Sequence, residues 1–186
     1  MRMLHHLDEQ SNRELRWQKA ARRLVGAVKD MVRNVVCLDT ESLGRLDCSL
    51  RAATAESFGE VKSLERSLTL YDFFYMSKLW VFGAYEIART LDENIGADHP
   101  SKKKLKELKR QLERVRIPLA KVQIPTRFPT DQVTGSMTGH PEEGWAWQVS
   151  ATDLVSRDDL AERFLEMLES FPEPKLFEES DSQLAE

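Results

Sequence analysis

This 186-residue sequence carries none of the patterns by which a secretory leader, a membrane span, a disulfide framework or a glycine-rich phosphate loop would be expected. The first residues, Met1 to Glu9, lack the apolar core of a signal peptide. No run approaches the 18 apolar residues that a spanning helix needs. The only cysteines are Cys37 and Cys48, eleven apart and without a nearby His. Too few for a disulfide scaffold and wrongly spaced for a zinc site, they read as free thiols. A cytoplasmic location follows as the expectation. The four histidines are His5, His6, His99 and His140, and none is spaced as a metal pair. Eight glycines form no G-x-G-x-x-G or G-x-x-x-x-G-K loop, and there is no G-x-S-x-G elbow. No cofactor and no metal is expected.

What is present is helical periodicity. Apolar residues make up 41% and charged residues 31%, the mix of a globular, highly charged chain able to bury its own core. From Leu7 to Leu38 there is no proline and one glycine, Gly26. Leu24, Val28, Met31 and Val35 recur at fours and threes and predict one apolar face, opposite Arg22, Arg23, Lys29 and Arg33. Leu43, Leu46, Leu50 and Ala53 predict a second helix, with a break or kink at Asp39–Ser42, where capping types cluster. The block from Glu60 to Ile95 is richest in information. Six of the fifteen aromatic residues fall between Tyr71 and Phe82, so a long helix, apolar on most of its circumference, is expected at the centre of a bundle. Asn94-Ile95-Gly96 stops it, and Ser101 opens another helix that Pro118 is expected to end near Arg116.

Beyond Lys121 the pattern changes. Six prolines and glycines between Pro125 and Gly144 predict a loop or small β-hairpin over 121–150, with Trp145–Val149 as its return strand. Ser156 to Asp159 resembles a capping box, opening a helix that buries Leu160, Phe164, Met167 and Leu168. The predicted class is therefore mainly α: one helical domain over 1–172 with a β excursion, then an acidic tail over 173–186 too polar to fold.

Charge is unevenly placed. Lys102 to Lys121 holds nine basic and two acidic residues, whereas Asp158 to Glu186 holds ten acidic and two basic, on a chain of net charge −4. The basic segment is a candidate surface for RNA or another polyanion, or for docking of the acidic tail. On the central helix Lys78, Glu86, Arg89 and Glu93 share one narrow stripe with Tyr75 and Phe82, a candidate binding surface. Arg116 falls beside the apolar seam Leu105, Leu108, Leu112 and Val115. An arginine there needs a partner, and Glu86 is the expected one.

The segment Leu79-Trp-Val-Phe-Gly-Ala-Tyr-Glu-Ile-Ala-Arg-Thr-Leu91, followed by a charged helix ending in Arg116-Ile-Pro-Leu-Ala-Lys121, resembles helical bacterial proteins related to the HEPN superfamily. The resemblance spans about Tyr71 to Val122. It implies a helical bundle, often dimeric, and in active members a metal-independent ribonuclease using an Arg and a nearby His. Arg116 matches the Arg. Lys121, Val122 and Gln123 stand where the His belongs, so the proton-transfer group of near-neutral pKa is missing. Lys121, or His140 folded back beside Arg116, would have to replace it. Three functions are thus in play. The first is a non-catalytic binding module, dimeric and recognising a protein or nucleotide-like ligand. The others are a HEPN-type ribonuclease and a structural assembly subunit.

Overall fold

The computed structural model describes the backbone of residues 2–57, 64–132, 137–140 and 144–174. Among these residues five α-helices dominate: α1 (Arg2–Arg23), α2 (Asp30–Ser57), α3 (Leu64–Asn94), α4 (Lys102–Lys121) and α5 (Arg157–Glu169). Three short strands, β1 (Thr138–His140), β2 (Gly144–Gln148) and β3 (Leu154–Ser156), form one antiparallel sheet in the order β1-β2-β3. The fold is mainly α with a small β excursion, as the periodicity predicts.

The helices close into a ring. α2 packs on α1 and α3, α4 on α3 and α5, and α5 returns to α1. Inside lie Trp17, Trp80, Leu91, Leu112 and Phe164, each no more than 1% exposed. Trp80 meets the Phe164 ring edge-on and Trp17 stacks on it, so one α5 aromatic joins α1 to α3. The sheet rests on α5, and Trp145 of β2 packs against Phe73 and Phe74 of α3. Ser156 accepts the Asp159 N–H as the capping box predicts, in extended backbone at ψ 134°. Leu160, Phe164, Met167 and Leu168 are all buried.

Three boundary expectations are corrected. The predicted break at Asp39–Ser42 does not exist, because α2 runs through it. The Thr40 and Ser42 hydroxyls donate back to the carbonyls of Val36 and Leu38, and Thr40 is fully buried, so these residues serve the helix interior rather than a cap. The chain turns instead at Leu24–Gly26, a single 3₁₀ turn around the glycine, the weakest helix former in that stretch. The expected face Leu24-Val28-Met31-Val35 is therefore split by a corner, and Val35 is 59% exposed. Finally, α4 does not end at Arg116. Pro118 lies inside it, costing one backbone hydrogen bond, but Pro118, Val115 and Leu119 are buried and hold the last turn in place. The helix ends at Val122, in left-handed backbone at φ 53°, whose N–H donates to the Pro118 carbonyl.

The loop-or-hairpin expectation resolves into three strands, with β2 pairing β1 through Gly139↔Trp145 and β3 through Trp147↔Val155. The acidic tail beyond Pro174 lies outside the described residues.

Candidate interaction face on α2 and α3

The α3 stripe assembles as the winding predicts. Lys78 Nζ sits 5.6 Å from the centre of the Phe82 ring, one turn from Tyr75, which is 61% exposed. Arg89 donates to Glu86 at 2.8 Å and to Glu93 at 2.7 Å. Those two carboxylates raise the affinity of Arg89 for its proton. Arg116 reaches Glu86 from α4 at 3.4 Å and lies over the Tyr85 ring at 4.3 Å. The expected Glu86–Arg116 pair thus exists. It sits at the rim of the α3–α4 seam rather than in the core, so it contributes about 1 kcal/mol or less.

Beside this stripe, α2 and α3 part to leave an apolar groove of about 530 Å³. Its lining is Val32, Val35, Val36, Leu43, Leu46 and Ile87, with Asp39, Ser42, Glu86 and Thr90 at the edges. Gly83 lets the helices approach here, since a side-chain carbon at that position would meet Leu43 at 3.1 Å. Exposed Val35, Leu38, Met76 and Leu79 continue the apolar surface around it. The groove is lined by two carboxylates and by no lysine or arginine.

The ribonuclease candidates do not share a helix face. Arg116 and Lys121 are five residues apart on α4, about 140° around the axis. Lys121 is exposed at the helix end, whereas Arg116 turns inward to Tyr85. His140 pairs by its backbone with Gly144, and its side chain lies outside the described residues.

Among the described residues the most concentrated ionic structure is elsewhere. Asp47 of α2, fully buried, accepts from Arg13 at 2.5 Å, from Arg157 at 2.6 Å and from the Trp17 indole N–H at 3.0 Å. Arg51 lies 3.5 Å away. Burial alone would raise the Asp47 pKa, but Arg157, Arg13 and Arg51 outweigh it and hold the carboxyl below its ordinary range. For Arg51 burial dominates and its pKa falls. Glu162 bridges Arg13 and Arg16, Glu169 binds Arg16, and Asp158 binds Arg157. Four arginines therefore meet four carboxylates, and this balanced network ties α1, α2 and α5 together. Its charges are spent on one another, which is the signature of a structural joint rather than a ligand site. One sequence signal points to it. Asp47 occupies the apolar seam of Leu43, Leu46 and Leu50, where a lone carboxylate must find cations.

Both thiols are free, and burial raises the pKa of each. Among the described residues no group of His, Cys, Asp or Glu could hold a metal ion, and no helix is long and apolar enough to cross a membrane. No protein-family model, curated protein or solved structure matches the chain.

Proposed function

We propose that this chain is a non-catalytic protein-interaction module that pairs with a second copy of itself through the α2–α3 face. The observation carrying this reading is the apolar groove together with the exposed Val35, Leu38, Met76 and Leu79 around it. Isolated exposed apolar residues are ordinary, but a contiguous apolar surface rimmed by charge marks an interaction site. The rim, Glu86, Arg89, Arg116 and Lys78, supplies polar contacts of the kind that surround such patches. A nucleotide-like ligand is less well served, because phosphate recognition needs cations and the groove lining has none.

The reading is tested by sedimentation over a roughly hundredfold concentration range, since association shifts by mass action. Wild-type chain is expected to move from monomer to dimer. Val35→Glu with Leu79→Glu, both surface changes, is expected to leave a monomer with an unaltered circular dichroism spectrum. A wild-type chain that stays monomeric throughout would overturn self-association. The non-catalytic part has its own check. Labelled single-stranded RNA is expected to survive incubation with the chain. Cleavage that vanishes in Arg116→Ala would put the ribonuclease reading in its place.

A further inference from the structure

The nine basic residues of the α4 segment divide into two groups. Lys102 and Lys109 pair with Asp92, Arg114 with Asp131 and Asp153, and Arg116 with Glu86. Lys103, Lys104, Lys106, Arg110 and Lys121 have no acidic partner among the described residues. Of these, Lys103, Lys106, Arg110 and Lys121 fall within about 60° of one another on the outward side of α4. They form a cationic ridge about 27 Å long, from the 1.5 Å rise per residue. Of the two α4 acids, Glu113 is occupied by Arg127 at 3.2 Å, and Glu107 stands at the ridge's edge.

The ridge is more than a row of charges. Arg110 and Arg114 both lie over the Phe128 ring, at 5.0 and 5.3 Å from its centre. That places a planar guanidinium and an aromatic ring together at mid-ridge. Exposed Val122 and Ile124 continue the surface past Lys121. Cations alternating with flat and apolar surface suit a strand that alternates phosphates with bases. An acidic peptide would use only the cations.

We propose that this face of α4 binds the phosphate backbone of a single-stranded nucleic acid, independently of the α2–α3 face. Four phosphates contacted by Lys103, Lys106, Arg110 and Lys121 would give a salt slope near −3. Affinity should therefore drop about 50-fold between 50 and 200 mM salt.

The experiment is fluorescence anisotropy of the full chain with a labelled single-stranded RNA at those two salt concentrations. Three further arms accompany it. The first is Lys103→Glu, Lys106→Glu and Arg110→Glu together, expected to lose at least about tenfold in affinity at the lower salt. The second is Lys19→Glu, Arg22→Glu and Lys29→Glu, the same net change on exposed positions elsewhere, expected to bind nearly as wild type. The third is poly-glutamate of equal length, expected to compete poorly. No binding at the lower salt, or equal loss in both triple variants, would overturn the proposal. If poly-glutamate competes as well as RNA, the ridge takes an acidic protein segment and the nucleic-acid assignment falls. Binding that survives reversal of the ridge would equally refute it.

Discussion

Replacing Asp47 with alanine is expected to destabilise the chain by about 3–5 kcal/mol in urea denaturation at neutral pH, the cost of leaving buried cations without their counter-ion. Against a typical total of about 5–15 kcal/mol, that change alone threatens folding near body temperature. The size of the effect comes from Arg157, which is 1% exposed and cannot turn to water. Asp158 and Glu162 remain as partners of Arg157 and Arg13, but the repulsion among Arg13, Arg51 and Arg157 then lacks the carboxylate at its centre. Asp47→Asn keeps the shape and the indole contact while removing the charge, and its loss should approach that of alanine. A loss below about 1 kcal/mol for both variants would show the network to be solvated in solution, in the manner of exposed ion pairs.

The same residue sets a pH dependence whose sign is fixed. The folded-state pKa of Asp47 lies below its unfolded value. Its contribution is therefore complete above the ordinary carboxylate pKa of about 3.9 and is lost as pH falls through the lower folded value. Asp92 and Glu162 are lowered as well, by Lys109 and Lys102 and by Arg13 and Arg16, although burial opposes both shifts. Stability of the wild type should accordingly fall on the acid side of pH 4 (approximately). In Asp47→Asn that limb should be shallower without disappearing.

Gly44→Ala is expected to cost about 1–3 kcal/mol, although alanine is the better helix former by about 1 kcal/mol. A side-chain carbon at Gly44 would lie 2.5 Å from both Cβ and Cγ of Trp17. No rotation of the indole moves Cβ away. The ring is also buried and tethered through its N–H to Asp47. Relief must come from separating α1 and α2, which opens the core on both sides of the contact. Melting by circular dichroism should show a decrease of roughly 2–4 °C for each kcal/mol. Gly26→Ala provides the comparison, because nothing stands within 4 Å of its missing carbon. A melting temperature unchanged in Gly44→Ala would mean that α1 and α2 are not held this close.

The helices, their faces and the charged stripe on α3 were legible because each depends on local periodicity. Leu160, Phe164, Met167 and Leu168 are buried as their spacing requires, and Glu86 meets Arg116 because two helices with adjoining seams bring their polar edges together. Boundaries were less legible wherever tertiary packing outweighed a local preference. Pro118 stays helical because its ring is buried, and Thr40 is taken into α2 because its hydroxyl finds the Val36 carbonyl. The α2–α3 groove could not be foreseen, since it follows from which helices become neighbours. Val35 and Leu38 have core-like spacing and nevertheless face outward. Likewise nothing local separates Lys109, held by Asp92, from Lys106, which is free. That distinction appears only when α3 is laid beside α4.

The ring of helices also determines when the protein can become itself during synthesis. Arg13 and Glu162 are 149 residues apart in sequence yet joined at 2.5 Å. Arg157, the deepest counter-ion of Asp47, is likewise supplied by the last helix. While the ribosome is still translating the sheet, α1 and α4 have no neighbour on one side, and Asp47 has only Arg13 and Arg51 of its three arginines. The nascent chain must therefore hold four amphipathic helices in waiting until the fifth emerges and locks them. Long-range closure of this kind favours slow final assembly and leaves incomplete chains open to chaperones and proteases.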